Sequence, residues 1–81
     1  MPTVLRKGGM RFTIYVDDHE PAHVHIFGQG ELKVMIRGAD GYPQMLSNIG
    51  FPIQERRRAM DIVLKNQSYL AACWEAIHGE S

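Results

Sequence analysis

The hydrophobic period of this 81-residue chain changes near residue 50, and that change does more than any other feature to limit its fold. Upstream, apolar residues alternate with polar or aromatic ones. Met10, Phe12, Ile14 and Val16 are interleaved with Arg11, Thr13 and Tyr15. Val24 and Ile26 alternate with His23, His25 and Phe27, and Leu32, Val34 and Ile36 alternate with Lys33, Met35 and Arg37. A period of two is that of a strand with one buried face. Gly8-Gly9, Asp17 to Pro21 and Gly28-Gln29-Gly30 break these runs. The breaks are too short to hold crossover helices, so successive strands must run antiparallel as a meander. Thr3 to Arg6 adds a leading strand, and Gln44 to Leu46 a short edge strand.

From Pro52 onward the period becomes helical. Ile53, Met60, Val63, Leu64, Gln67, Leu70, Ala71, Trp74 and Ile77 fall on one stripe, apolar except at Gln67. Pro52 suits a helix start and Gly79 a helix exit. A single helix from 52 to 77 would be about 39 Å long at ~1.5 Å per residue. A domain of this size is only ~25 Å wide. The helix should therefore overhang, bend or break near Asn66-Gln67-Ser68. The expectation is one α+β domain over residues 1–81. An antiparallel meander of three or four strands (residues 1–46) packs on one long or bent C-terminal helix (residues 52–78). The aliphatic strand faces pack beneath Met60, Val63, Leu64, Leu70 and Trp74.

Composition removes several classes of function. The chain is 44% hydrophobic, which supports a packed core rather than disorder. No apolar run approaches the ~20 residues of a membrane span, so no membrane partner is expected. The N-terminus lacks a signal-peptide pattern. Cys73 is the single cysteine, which rules out an internal disulfide and favours a reducing, cytoplasmic setting. Net charge is zero, so bulk attraction to nucleic acid is absent. Charge is nevertheless uneven: Arg6, Lys7 and Arg11 form a basic end, and Arg56, Arg57 and Arg58 a second basic cluster. On a helix those last three point in different directions and make no single face.

Functional chemistry is concentrated in Asp17-Asp18-His19-Glu20-Pro21-Ala22-His23-Val24-His25. The run holds three of the four histidines and three of the nine acidic residues. If Val24 and Ile26 face the helix, His23 and His25 share the opposite face, beside Tyr15 and Lys33. Three readings stand open. In the first, His19, His23 and His25 with Asp17 or Asp18 hold zinc or another divalent metal, since His-x-His on a strand presents two imidazoles to one side. In the second, His19, His23, His25 and Tyr15 carry acid–base catalysis on a phosphodiester, with Arg11 and Lys33 holding phosphate. In the third, His19 braces the loop and His23 and His25 are ordinary half-exposed strand residues. Read as an interaction module, the chain would bind through a surface of Arg11, Tyr15, His23, His25 and Lys33. No phosphate-binding glycine fingerprint accompanies them.

Met1-Pro2-Thr3-Val4-Leu5-Arg6, Gly9-Met10-Arg11-Phe12, His19-Glu20-Pro21-Ala22-His23-Val24-His25 and Leu70-Ala71-Ala72-Cys73-Trp74-Glu75 together resemble a bacterial family known as domain of unknown function 4160. The Pro-x-His-Val-His core is the most specific part. Ala22 and Pro52 stand where the family often has proline and serine, and neither departure touches the histidines. The resemblance implies a small single-domain protein and, by genetic neighbourhood, one member of a toxin–antitoxin-like pair. It implies no substrate and no catalytic residue. The leading expectation is a cytosolic interaction module that binds a small protein partner, as a monomer or a homodimer. RNA or DNA is a further expected class of partner. The rivals are a histidine-dependent ribonuclease-like or metal-dependent hydrolase, and a non-catalytic metal-binding module.

Overall fold

The computed structural model describes residues 3–79. In chain order the elements are β1 (Thr3–Lys7), β2 (Met10–Thr13), β3 (His23–Phe27), β4 (Glu31–Met35), β5 (Gln44–Ile49), α1 (Ile53–Lys65) and α2 (Gln67–His78). The strands form one antiparallel sheet whose spatial order is their sequence order. The α+β meander is as the alternation predicts. The count differs: there are five strands and two helices, where three or four strands and one helix were expected.

Both differences have local causes. β5 extends to Ile49, three residues past the expected end of the sheet, and is exposed along most of its length. A strand with little buried face shows little alternation and is easily read as a loop. The helical segment breaks at Asn66, whose φ of −125° and ψ of 22° leave the helical region. The Asn66 side chain donates to the Ile62 carbonyl at 2.7 Å, while its N–H donates to that of Val63 at 3.0 Å. These bonds satisfy carbonyls that the end of α1 would otherwise leave unpaired. Gln67, the polar residue on the apolar stripe, then donates to the carbonyls of Ile36 (2.8 Å) and Gly41 (3.0 Å). It ties the start of α2 to the chain just beyond β4.

The core lies between the sheet and the helices. Register places Phe12 opposite Ile26, Ile26 opposite Leu32, and Val24 opposite Val34, so these side chains share one face. Ala59, Val63, Leu70 and Trp74 are buried against it. Two stripe residues do not reach the core: Leu64 is 39% exposed and Ile53 52% exposed. Within α1 the buried line runs through Ala59 and Val63, and Leu64, one residue on and about 100° around the helix, falls off it. Val16, expected to continue the β2 alternation, is 71% exposed because the strand ends at Thr13 and the chain turns away. Phe51, outside the helical stripe, is buried. Asn48 holds it in place, accepting its N–H at 3.0 Å and donating to its carbonyl at 3.2 Å.

Two glycine positions are dictated by geometry. Gly8 and Gly9 have φ of +61° and +78°, the left-handed pair that a two-residue hairpin between β1 and β2 demands. A Cβ at Gly30 would collide with the Ile49 carbonyl oxygen, so close approach of the β4 and β5 ends depends on its absence. Among the described residues, no helix is long and apolar enough to cross a membrane.

Candidate metal centre

The β2–β3 connection folds back over the start of β3. Its turn is set by Asp18, whose backbone N–H donates to the Tyr15 carbonyl at 3.2 Å and whose Oδ2 accepts the Tyr15 N–H at 3.1 Å. With Oδ2 so engaged, Oδ1 faces the strand. There it lies 3.5 Å from His23 Nε2 and 3.4 Å from His25 Nε2. Ligand atoms of Asp18, His23 and His25 all fall within 4.8 Å of one another.

The two imidazoles are held differently. His23 Nδ1 donates to the Pro21 carbonyl at 2.8 Å, across a segment whose Glu20–Pro21 peptide is cis. A carbonyl can only accept, so the proton of a neutral His23 sits on Nδ1 and the lone pair on Nε2. His25 bonds through its other nitrogen: Nε2 is within hydrogen-bond reach of Asp18 Oδ1, while its buried Nδ1 has no hydrogen-bond partner and stands 3.7 Å from Glu31 Oε2. His23 Nε2 is buried with no hydrogen-bond partner. A buried nitrogen lone pair without a donor is costly unless something binds it.

The rings are packed as well as bonded. Tyr15 meets His25 edge-on at 4.9 Å between centroids, and His25 meets His23 at 5.2 Å. Trp74 of α2 lies 5.4 Å from His23 and stacks on His78 at 3.9 Å. Its indole N–H donates to Glu20 Oε2 at 3.4 Å, which links the helix to the loop. His23 is therefore only 5% exposed. It is not the half-exposed strand residue that alternation alone suggests, because the loop and Trp74 close over its end of the sheet.

Burial tends to raise the Asp18 pKa, but the Tyr15 N–H bond and the adjacent His23 and His25 rings outweigh it. The carboxyl is held below its ordinary value. Asp18 is thus an anion facing two imidazole nitrogens.

The other sequence candidates are placed differently. His19 and Asp17 are exposed and stand outside the Asp18–His23–His25 group. They line a cleft of about 240 Å³ beside it, together with Glu20 and Lys33. Lys33 is directly cross-strand from His25. Arg11 sits at the opposite end of the sheet face, with its guanidinium carbon 4.9 Å over the Phe27 ring. Three residues near the centre escaped the sequence reading. Glu31 was legible in principle, because a three-residue Gly28–Gly30 turn pairs Phe27 with Glu31 and puts Glu31 one step from His25. Thr13, directly across from His25, is fully buried, with no partner for its hydroxyl among the described residues. Trp74 was read as a core residue, and its contact with His23 depends on the helix break. No signal short of the fold indicates these last two.

No curated protein and no solved structure matches this chain. The family model described as domain of unknown function (DUF4160) matches residues 9–75. That span covers most of the 81 residues, including every strand of the centre, and the chain belongs to this family.

Proposed function

We propose that this chain is a small cytosolic module that binds one divalent metal, zinc foremost, through Asp18 Oδ1, His23 Nε2 and His25 Nε2. The separation of Asp18 Oδ1 from the two imidazole nitrogens carries the reading. A charge-assisted N–H···O bond contracts to ~2.7–2.9 Å, and the two distances here are 3.5 and 3.4 Å. Tetrahedral ligands bound at ~2.0–2.1 Å to zinc stand roughly 3.3 Å apart. The oxygen-to-nitrogen separations match those of ligands around an ion, the one to His25 being also a long hydrogen bond, and all three atoms lie within 4.8 Å of one another. The orphaned His23 Nε2 and the Pro21 carbonyl that holds the ring from behind support the same reading.

Three protein ligands leave one position free, which is the arrangement of catalytic rather than structural zinc. An ion bound there would acidify a water in that position and polarise a carbonyl or phosphoryl oxygen. The chain's own residues would do the rest. The Pro21 carbonyl keeps His23 in the ligating tautomer, Glu31 places negative charge behind His25, Lys33 places positive charge at the cleft, and exposed His19 stands at its mouth.

The test is metal content and cobalt(II) titration of untagged protein purified without chelator. Near-stoichiometric uptake with tetrahedral cobalt absorption is expected, lost in His23→Ala and His25→Ala. Folded wild-type protein that takes up neither zinc, cobalt, iron nor manganese would end the proposal.

A second reading, a module that pairs with a small protein in a toxin–antitoxin-like couple, is favoured by one observation. Edge strand β5 exposes Leu46 and Ile49 and carries no charge or proline within Gln44–Ile49. Such an edge invites a strand from another chain. Ile49→Lys, on the same edge but away from the cleft beside the ligands, should abolish complex formation with a neighbouring-gene product while leaving metal uptake intact. An unaltered complex would remove the edge from consideration.

A further inference from the structure

At the other end of the open sheet face, the β1–β2 hairpin presents an arrangement that the metal centre does not explain. Arg6 and Arg11 are directly cross-strand, so their side chains emerge together on the same face. Like charges so placed repel and weaken the hairpin. Yet neither they nor Lys7 makes an ion pair within the described residues. Arg11 lies flat over Phe27, its cross-strand neighbour on β3, and Phe27 is half-exposed. These groups line a cleft of about 580 Å³ with Gly8 and Gly9. Nothing lies within 4 Å of where a Gly9 side chain would begin, so the backbone there is open to approach.

We infer that this cleft binds single-stranded nucleic acid, with phosphates against Arg6, Lys7 and Arg11 and one base against the Phe27–Arg11 surface. The charges require an anion, and a base accounts for the aromatic ring beside them. Basic grooves with a stacking aromatic are how proteins hold single strands without reading sequence. A duplex fits poorly. Glu31 is directly cross-strand from Phe27, and Asp17 and Glu20 lie farther along the face, so a long rigid polyanion crossing it would meet all three. The site therefore suits a few nucleotides. It stands independently of the metal reading, because among the described residues no hydrogen bond, ion pair or ring contact links Arg6, Lys7, Arg11 or Phe27 to Asp18, His23 or His25.

The experiment is fluorescence anisotropy with a short labelled mixed-sequence oligonucleotide, as RNA and as DNA, at low salt with chelator present. Wild-type protein should bind at least one of them. Three phosphate contacts predict a slope of log affinity on log salt of about −2 for a single strand. Arg6→Gln/Arg11→Gln should reduce that slope to about −0.7 and weaken binding on the order of tenfold. Phe27→Leu, which retains apolar packing, should weaken it at least about fivefold through lost stacking. Zinc uptake by the double glutamine variant should equal wild type, which separates failure here from failure of the metal centre. No binding to either oligonucleotide, or wild-type affinity in the double variant, would overturn the assignment. So would equal affinity for inorganic polyphosphate or a polyglutamate peptide, since neither offers a base.

Discussion

The two ends of the open sheet face are built on opposite principles. At the β3 start, Asp18, His23 and His25 are largely withdrawn from water and held by bonds from Tyr15, Pro21 and the Trp74–Glu20 link. At the β1–β2 turn, Arg6, Lys7 and Arg11 stand toward solvent, held by little beyond the hairpin and the Phe27 contact. Burial fixes ligand atoms to within fractions of an ångström, as a metal demands. Exposure leaves long cationic side chains free to follow a flexible polymer. Substitutions should therefore have steep effects at the first end and shallow effects at the second.

The steepest effect should be on metal affinity. His23→Ala removes one of three ligands and leaves a space under Trp74. Zinc binding measured by competition with a chromophoric chelator should fall by at least about a hundredfold, beyond the ~10–100-fold typical of losing a group behind a ligand. A tenfold loss or less would mean that His23 supports the fold and holds no metal.

Next comes stability. Trp74→Ala removes the buried ring that covers His23 and supports His78. Urea unfolding should show a loss of ~3–5 kcal/mol, as for other buried aromatic truncations. Arg6→Ala, at the opposite end, should stay within about 0.5 kcal/mol of wild type. Equal losses at the two sites would erase the contrast between the ends.

Glu31→Gln sharpens the comparison within the first end. The amide keeps the shape but removes the negative charge 3.7 Å from His25 Nδ1. Zinc affinity should drop about tenfold. Unfolding of the metal-free protein should change little, because Glu31 is half-exposed.

How much of this was legible beforehand divides along the same line. The α+β meander, the core face of β2 to β4 and the clustering of function in residues 17–25 followed from period and residue type. Period is imposed by burial, so it is readable wherever one face is buried. It failed at β5, which buries little, and at Val16, where the strand had already ended. The break at Asn66 could be expected from length, but the rotation of α1 against the sheet, which leaves Leu64 exposed and Ala59 buried, could not. Within the candidate group, His23 and His25 came together because a strand spaces them. Asp18 joined them, and Asp17 and His19 did not, because of a turn closed by the Tyr15 N–H. That choice lies in loop geometry, where all four residues from Asp17 to Glu20 look equally eligible. The Arg6–Arg11 pairing depends on hairpin register, which Gly8-Gly9 would have supplied.

The smallest expected effect concerns Asp18 and acid. Its carboxyl is held below the ordinary value in the folded chain, so the unfolded chain binds more protons through that range. Stability of the metal-free protein should therefore rise with pH there. The contribution is complete above the ordinary carboxylate value near ~3.9 and is lost as pH falls through the lower folded value. Asp18→Asn keeps an oxygen to accept the Tyr15 N–H but cannot titrate. Thermal unfolding from pH 7 downward, with chelator present, should show the wild-type advantage over this variant shrinking only in the acid limb. A constant difference at every pH would mean that the carboxylate matters to the fold as a turn-closing acceptor alone. The two imidazoles would then lie beside it without stabilising its charge.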